Sequence, residues 1–134
     1  MKKTYSVILA SIILAALISG CLSSTTQPEK PKYVDISVQQ GKEMIDKGEF
    51  FILDVRTREE YNESHIMGST LIPVEDLDIR FKELPRDKKI LVYCRTGSRS
   101  ATASEILVKN GFTLIYNMQG GITGWKNAGY EVVK

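Results

Sequence analysis

Residues 90–100 read Ile-Leu-Val-Tyr-Cys-Arg-Thr-Gly-Ser-Arg-Ser, and this stretch decides how the rest of the chain is organised. Its first four residues form an apolar run typical of a buried strand, and the small residues that follow favour the start of a helix. Cys94 therefore lies where a strand passes through a loop into a helix. Backbone N–H groups and the positive end of the helix dipole stabilise an anion at such a junction. Because Arg95 and Arg99 add formal charge, we expect a lowered pKa for the Cys94 thiol and a nucleophilic thiolate.

The other residues of this loop are candidates for binding a small anion. Gly97 is needed if the loop adopts a positive φ with its backbone close to a ligand, and a plain turn glycine is the alternative. Hydroxyl groups of the loop are candidate hydrogen-bond donors to sulfur or to ligand oxygens, and they belong to Thr96, Ser98 and Ser100. The N-cap of the following helix explains Ser98 equally well. An inert, buried thiol is the alternative for Cys94, and the two nearby arginines argue against it.

The composition is that of an ordinary globular domain. The chain has 134 residues, of which 25% are charged and 43% are hydrophobic, and this length fits a single domain. The formal net charge is +2, and Lys2 and Lys3 account for all of it. The rest of the chain therefore has no net charge, which argues against general nucleic-acid binding. Any attraction of anions must be local.

The N-terminus has the parts of an export signal. Lys2 and Lys3 are followed by an apolar segment over residues 5–18, which is too short for a spanning helix of roughly 17–25 residues. Ile18-Ser19-Gly20-Cys21 resembles the lipobox of prokaryotic lipoproteins, in which the cysteine is lipidated and becomes the new N-terminus. We expect residues 1–20 to be a lipoprotein signal peptide and Cys21 to anchor the exported protein to a membrane on the extracytoplasmic side. A plain signal peptide with a chance cysteine is the alternative.

Residues 21–32 are predicted to be the lipidated cysteine and a flexible tether. Two prolines and several hydroxyl side chains occur there, and such a segment cannot build a core. If Cys21 is lipidated, Cys94 is the only thiol of the mature protein and has no partner for an internal disulfide. The folded domain is expected to span residues 33–134.

Within this domain, strand-like and helix-like segments alternate. The predicted strands are residues 33–36, 50–55, 71–73, 90–93 and 114–116. The predicted helices are residues 38–47, 77–84, 98–110 and 122–127, and the first follows a capping box of Ser37 and Gln40. Residues 56–64 are a polar stretch to which the pattern assigns no strand or helix. The pattern predicts an α/β fold with a parallel five-stranded sheet and helices on both faces, in which ligands bind beyond the carboxyl ends of the strands.

Four motifs occur in the order found in one known family. They are Leu53-Asp54-Val55-Arg56 with Arg58-Glu59-Glu60-Tyr61, His65-Ile66-Met67-Gly68-Ser69 with Ile72-Pro73, Cys94 to Ser100, and Gly120-Gly121 with Trp125. With these motifs, the chain resembles the single-domain rhodanese-like sulfurtransferases from about residue 34 to residue 133. Ser69 stands where alanine is usual, and Leu71 stands where asparagine often precedes Ile-Pro.

The resemblance implies a reaction and roles for the loop. The Cys94 thiolate would attack the outer sulfur of a donor such as thiosulfate, release sulfite, and hold a persulfide until cyanide or a thiol acceptor removes it. Backbone N–H groups from Arg95 through Arg99 would surround the terminal sulfur, while the two arginines attract the anionic donor. No metal or organic cofactor is implied, and we expect a monomer.

The resemblance also implies supporting residues. Asp54 and Arg58 are expected to form an ion pair near the loop, with a solvated surface pair as the alternative. His65 is predicted to be hydrogen-bonded within a turn rather than to bind a metal. Trp125 is predicted to be a core or lid aromatic.

Two other functions remain open. A phosphatase or arsenate reductase of related fold also places a cysteine in an anion-binding loop, but its spacing is Cys-x5-Arg. Here four residues separate Cys94 from Arg99, and Ser100 stands where the arginine of a phosphatase would be. The other alternative is a membrane-tethered persulfide carrier or a rhodanese-like binding module.

Overall fold

The apolar run before Cys94 is the central strand of a parallel sheet. The computed structural model describes residue 20 and residues 32–134, and its sheet contains five strands in the order β1-β5-β4-β2-β3, all parallel. The strands are β1 (Val34–Ile36), β2 (Phe50–Asp54), β3 (Thr70–Leu71), β4 (Lys89–Tyr93) and β5 (Ile115–Met118). This architecture confirms the predicted five-stranded α/β fold.

Five α-helices connect or follow these strands within residues 32–134. They are α1 (Val38–Asp46), α2 (Arg58–Glu63), α3 (Leu77–Arg80), α4 (Ser98–Lys109) and α5 (Gly121–Asn127). Short 3-10 turns at Val74–Asp76 and Phe81–Glu83 flank α3. The capping box predicted for α1 is present, since the Ser37 hydroxyl accepts from the backbone of Gln40 while the Gln40 side chain accepts from the backbone of Ser37.

The two faces of the sheet are covered by different helices. Along β4, Ile90 and Val92 pack into the cluster that contains Leu107 of α4, whereas Leu91 and Tyr93 pack into the cluster that contains Trp125 of α5. Helices therefore lie on both faces, as predicted. Because β4 is buried on both sides, its position is fixed, and the loop that follows it is held in place.

Helix α2 lies in the polar stretch of residues 56–64, to which the sequence pattern assigned no helix. Thr57 is its N-cap, and the Thr57 hydroxyl and the Glu60 side chain form a complete capping box. The spacing of Thr57 and Glu60 is the sequence signature that indicates this helix. The helix is short and has no buried residue, so hydrophobic periodicity gives no signal for it.

Two predicted boundaries also differ from the structure. The helix expected over 77–84 is α-helical only as far as Arg80, and Leu84 is extended with ψ 143° because it precedes Pro85. Strand β5 continues to Met118 because β1 pairs with it as far as Met118, a contact between distant segments that local pattern does not contain.

The predicted signal peptide and lipidation site lie outside the described residues. Residue 20 is described only as exposed, and Cys21 and most of the tether are not described. In the described part of the chain, no helix combines the length and apolar character that a membrane span requires.

Candidate active site

The loop that carries Cys94 follows the carboxyl end of β4 and leads directly into α4. Gly97 occupies the N-cap position of α4 with φ 116°, a positive φ that favours glycine. The Gly97 backbone also packs on the next segment, because a Cβ at this position would lie 3.4 Å from the backbone nitrogen of Gly120. A side chain at Gly97 would therefore strain the backbone because of the positive φ, while its Cβ would make an ordinary contact with the neighbouring turn. Ser98 is the first helical residue rather than the N-cap.

The sulfur of Cys94 is buried and surrounded by hydrogen-bonding groups. The backbone N–H of Gly97 donates to Sγ at 3.1 Å, and the Oγ of Ser100 lies 3.5 Å from Sγ. Only 1% of Cys94 is exposed, and Ser100 is fully buried. The Ser100 hydroxyl also donates to the carbonyl oxygen of Gly97 at 3.0 Å. Rotation of this hydroxyl would let it donate to a thiolate instead.

These hydrogen bonds determine the acidity of the thiol. Burial raises the pKa of Cys94, but hydrogen bonds from the Ser100 side chain and from the backbone of Ser100, Gly97 and Thr96 outweigh burial, so the pKa is lowered from its ordinary value. The predicted direction is confirmed. The predicted backbone N–H groups are among the causes, the Ser100 hydroxyl is the largest of those that lower the pKa, and the charges of Arg95 and Arg99 are not among the leading ones.

The two arginines of the loop have different surroundings. Arg99 donates two hydrogen bonds to the carboxylate of Glu60, at 2.8 and 2.9 Å. These bonds, together with that from Thr57 and against the effect of burial, lower the pKa of Glu60 to about 2. Arg95 is exposed and forms no ion pair with any residue from 32 to 134. Arg95 therefore provides the uncompensated charge beside the sulfur in this conformation.

Beneath the loop, Asp54 forms a buried ion pair, but not with the predicted partner. Its carboxylate accepts from Arg56, with the shortest bond 2.6 Å long, and the side chains of Arg56 and Asp54 are 4% and 0% exposed. Arg56 also donates to the carbonyl oxygen of Ser64 at 2.7 Å. The predicted pairing of Asp54 with Arg58 is wrong, because Arg58 is the exposed first residue of α2 and the helix directs it to solvent.

The start of α5 supports the loop from behind. The N–H groups of Ile122 and Thr123 donate to the carbonyl oxygens of Cys94 and Arg95 at 2.9 and 3.1 Å. A Cβ at Gly121 would collide with these two carbonyl groups, so glycine is required for this close approach. The Gly-Gly motif thus fixes the position of the loop backbone.

Two predicted supporting residues have the expected surroundings. The Nδ1 of His65 lies 3.0 Å from the carbonyl oxygen of Tyr61, and the two rings stack with centroids 3.8 Å apart. Trp125 is 3% exposed, and its Nε1 donates to the carbonyl oxygen of Glu131 at 2.8 Å. His65 is thus hydrogen-bonded within a turn, and Trp125 is a core aromatic. Across residues 32–134, no group of His, Cys, Asp and Glu has the arrangement of a metal site.

Two cavities border the loop. One of about 410 Å³ contains Arg95 and Lys126 in its lining, together with Thr123 and Glu60. The other, of about 340 Å³, lies on the side of Thr96 and Gly97. Small molecules can therefore reach the loop from two directions, and the lining of the first combines the cationic side chains of Arg95 and Lys126 with the carboxylates of Glu60 and Glu63.

A buried cysteine whose sulfur accepts a backbone N–H bond at the carboxyl end of a central parallel strand defines an α/β protein with a candidate cysteine-dependent site. The family model described as Rhodanese-like domain matches residues 37–128. The chain belongs to the rhodanese-like domain family.

Relatives and solved structures agree with this assignment. Thiosulfate sulfurtransferase GlpE of Pseudoalteromonas translucida is 34% identical over 99 residues, which are 74% of this chain and 94% of that protein. A sulfurtransferase of Allochromatium vinosum is 30% identical over 93 residues, which are 69% of this chain and 87% of that protein. The crystal structure of a rhodanese-related protein from Thermoplasma volcanium has a TM-score of 0.70 and 39% identity, and the match covers 75% of this chain and 98% of that one.

Three residues of the site were missed or undervalued from the sequence. Ser100 was expected only as one of several hydroxyl groups, and nothing in the local pattern indicates that its Oγ faces Sγ. Glu60 and Arg56 belong to a motif of the family resemblance, but no role in the site was predicted for them. The capping-box spacing indicates where Glu60 lies on α2, but its contact with Arg99 joins residues far apart in sequence.

Proposed function

We propose that this protein is a sulfurtransferase that takes sulfane sulfur from a donor such as thiosulfate onto Cys94 and passes it to cyanide or a thiol acceptor. The observation that carries the proposal is the set of hydrogen bonds that converge on Sγ and lower its pKa. Membership of the rhodanese-like family and likeness to proteins named as sulfurtransferases support the same reaction.

In the first half-reaction, the Cys94 thiolate attacks the outer sulfur of thiosulfate. The sulfur–sulfur bond of the donor breaks, its electron pair leaves with sulfite, and Cys94 carries a persulfide. Arg95 and Lys126 in the lining of the larger cavity attract the dianionic donor, and the carboxylate of Glu63 in the same lining opposes part of their charge. The N–H of Gly97 and the hydroxyl of Ser100 stabilise the negative charge on sulfur.

In the second half-reaction, the acceptor attacks the outer sulfur of the persulfide. The bond between this sulfur and Sγ breaks, and the electron pair returns to Sγ as a thiolate. The same hydrogen bonds that lower the pKa of Cys94 then stabilise the leaving group. No oxidant or reductant is consumed in either half-reaction.

The surroundings of Arg99 favour sulfur over phosphate as the cargo. A Cys-x5-Arg phosphatase needs an arginine free to bind two oxygens of a tetrahedral oxyanion. Both terminal nitrogens of Arg99 are instead bonded to Glu60, and the fully buried Ser100 follows it. The site therefore lacks an available arginine at the position that a phosphatase requires.

Intact-protein mass spectrometry after incubation with thiosulfate tests the proposal. We expect one added sulfur atom that Cys94→Ser lacks, and thiocyanate on addition of cyanide. An unmodified thiol at Cys94 after thiosulfate treatment would exclude this donor. A persulfide that forms but is discharged only once, without turnover, would favour the carrier function, and hydrolysis of an aryl phosphate would favour the phosphatase.

We also propose that the domain is exported and held at the extracytoplasmic side of a membrane through lipid on Cys21. This proposal rests on the charged, apolar and small-residue segments of residues 1–21 alone. Membrane fractionation of wild type and Cys21→Ser tests it, with Cys94→Ser as the control for loss of a thiol. The Cys21 variant is expected in the soluble fraction or uncleaved. Equal membrane retention of a cleaved Cys21→Ser protein would contradict lipid anchoring.

A further inference from the structure

The edge of the sheet opposite the Cys94 loop collects basic side chains. Because the strands are parallel, their amino ends lie at one edge, and the segments that lead into β2, β4 and β5 are residues 46–49, 82–88 and 109–114. These three segments, together with the first residue of β4, are here called the basic edge. All of its basic residues are exposed except Lys89, which is partly exposed, and they are Lys47, Lys82, Arg86, Lys88, Lys89 and Lys109.

The acidic residues of the basic edge cancel only part of this charge. Two of them are neutralised by a cation one helical turn away, since Lys42 lies 2.6 Å from Asp46 and Arg80 lies 2.9 Å from Glu83. Another acidic side chain, that of Glu49, lies 3.8 Å from Lys89. The basic edge therefore has an excess of positive charge, because its acidic residues are only Asp46, Glu49, Glu83 and Asp87.

The edge that carries the Cys94 loop has no such excess. There the exposed carboxylates of Glu59, Glu63 and Glu75 accompany the exposed cations Arg95 and Lys126. The positive charge of the chain is thus concentrated at the edge that lies away from the loop. A surface with negative charge attracts the basic edge more strongly than the edge with the loop.

Two exposed apolar side chains lie beside the basic charges. Val34 is 52% exposed and Leu114 is 37% exposed. Val34 begins β1 and pairs with Tyr116 of β5, the strand that Leu114 directly precedes. Both side chains therefore lie at the amino ends of neighbouring strands. Exposed apolar groups next to Lys and Arg are the combination that binds the surface of a bilayer with anionic headgroups.

The chain that precedes the domain enters at this same edge. Residue 32 leads into β1, and residues 22–31 separate it from Cys21. A chain rises at most about 3.6 Å per residue, so lipid on Cys21 would keep residue 32 within about 40 Å of the bilayer. A tether of this length raises the effective concentration of headgroups at the basic edge.

We propose that the basic edge docks on the surface of a bilayer that contains anionic phospholipids, with the Cys94 loop on the side away from the membrane. The inference rests on the proposed membrane location of the domain. Docking and sulfur transfer then use opposite edges of the sheet. Small donors and acceptors reach Cys94 from the aqueous phase, and docking leaves persulfide formation unchanged.

Paramagnetic broadening in NMR spectra tests which edge faces the bilayer. Isotope-labelled full chain is combined with nanodiscs of phosphatidylcholine, alone or mixed with phosphatidylglycerol, that carry a gadolinium chelate on a lipid headgroup. In the mixed nanodiscs, the backbone amides of Lys88, Lys109 and Leu114 are expected to broaden, while those of Thr96 and Lys126 stay sharp. Equal broadening at the two edges, or equal broadening in the two lipid compositions, would overturn the proposal.

Paired variants test the charge of the basic edge. The double variant Lys88→Gln with Lys109→Gln removes two charges from this edge, and we expect the ratio of docked to undocked chain to fall about tenfold. The double variant Arg58→Gln with Lys134→Gln removes two exposed charges elsewhere and is the matched control. It is expected to change this ratio much less. Equal losses in the two double variants would mean that net charge alone governs the attraction and would overturn the proposal.

A second pair of variants tests the apolar contact. Leu114→Gln removes an apolar side chain from the proposed contact with lipid, and we expect the docked fraction to decrease. Ile79→Gln removes the 81% exposed side chain of α3 and is expected to leave the docked fraction unchanged. Loss of docking in Ile79→Gln but not in Leu114→Gln would show that a different face contacts the bilayer and would overturn the proposal.

Failure of this inference can be distinguished from failure of the lipid anchor. If Cys21→Ser leaves the membrane fraction while wild type shows no broadening at the basic edge, the anchor is retained and docking is rejected. If Cys21 carries no lipid but the basic edge broadens in the mixed nanodiscs, docking is retained and the anchor is rejected. The broadening does not depend on the sulfur of Cys94, so the proposed sulfurtransferase activity is tested separately.

Discussion

Two pairs of an arginine and an acid flank the loop, and they differ in burial. The side chains of Asp54 and Arg56 are 0% and 4% exposed, whereas those of Glu60 and Arg99 are 24% and 31% exposed. The buried pair has its remaining donors satisfied by backbone carbonyl groups, including that of Ser64. The half-buried pair lies beside the sulfur and is open to solvent and substrate.

This difference separates a contribution to the fold from a contribution to the site. Removal of one member of a buried pair leaves an isolated charge that water cannot solvate, so the fold depends on the pair remaining complete. A partly exposed pair contributes little to stability because water and salt compete with it. The Glu60–Arg99 pair contributes to the site instead, because it fixes the position of Arg99. The predictions below test this division, beginning with the largest expected effect.

Arg56→Met is expected to reduce the free energy of unfolding by about 3–5 kcal/mol, because Asp54 then remains buried and unpaired. Urea unfolding followed by circular dichroism measures the loss. The double variant Asp54→Leu with Arg56→Met is expected to be more stable than Arg56→Met alone, since no isolated charge remains. Arg58→Met removes an exposed arginine from the same segment and is expected to change stability by less than about 0.5 kcal/mol. Equal losses for Arg56→Met and Arg58→Met would contradict the role of burial.

The second prediction tests whether a neutral hydrogen bond, rather than either ion pair, lowers the pKa of Cys94. Ser100→Ala removes a hydroxyl that donates to the thiolate, so we expect the pKa of Cys94 to rise. Persulfide formation near neutral pH should then slow, and loss of one hydrogen bond to a charged group, about 1.5 kcal/mol, corresponds to a slowing of about tenfold. The fold should tolerate the change, because the Gly97 carbonyl keeps its bond from the N–H of Ala101. The pH dependence of alkylation of Cys94 measures the shift.

Ser98→Ala is the matched control, since Ser98 is the exposed first residue of α4. It should leave the alkylation profile unchanged. A shift of equal size in both variants would mean that the hydroxyl of Ser100 has no specific role in stabilising the thiolate.

The features that these two predictions test differ in how far the sequence could predict them. The apolar run of residues 90–93 predicts the strand and the loop after it, and the glycine at 97 allows the positive φ, because the causes of these features are local. The partner of Asp54 was predicted wrongly because two arginines follow it closely, and only the unexpected helix α2 decides which one points inward. The contacts of Arg99 with Glu60 and of Asn117 with Asp35 join segments far apart in the chain, and no local pattern contains them.

The third prediction breaks the half-buried pair without disturbing its helix. Glu60→Gln removes the charge opposite Arg99 but keeps an N3 side chain that can accept from the N-cap, as Gln40 does in α1. We expect a stability loss of no more than about 1 kcal/mol and, because Arg99 is released, a KM for thiosulfate about twofold to threefold lower. Steady-state kinetics with thiosulfate and cyanide measure this change.

Glu60→Ala separates the charge from the cap. It removes both functions of the side chain, so it should lower KM as Glu60→Gln does but lose about 1 kcal/mol more stability from the missing cap. An unchanged KM in both variants would mean that Arg99 does not take part in donor binding even when it is released.

The smallest expected effect is the pH dependence of this half-buried pair. The pKa of Glu60 falls from an ordinary 4.5 to about 2 in the folded protein, mainly through the hydrogen bonds from Arg99. A depressed folded-state pKa contributes stability that is complete above the unfolded value and is lost as pH falls through the folded value. Wild type should therefore exceed Glu60→Gln in stability by a constant small amount above about pH 5, and this difference should shrink toward zero as pH approaches 2.

Urea unfolding at a series of pH values from neutral to acid measures this difference. Glu59→Gln removes one negative charge from the exposed side of the same helix and controls for the general effect of net charge. Because the difference between wild type and Glu60→Gln depends only on the ionisation of Glu60, a difference that stays constant down to pH 2 would show that the carboxylate is not stabilised by Arg99. In that case the half-buried pair would stabilise neither α2 nor the position of Arg99. The release of Arg99 in Glu60→Gln could then not explain a lower KM.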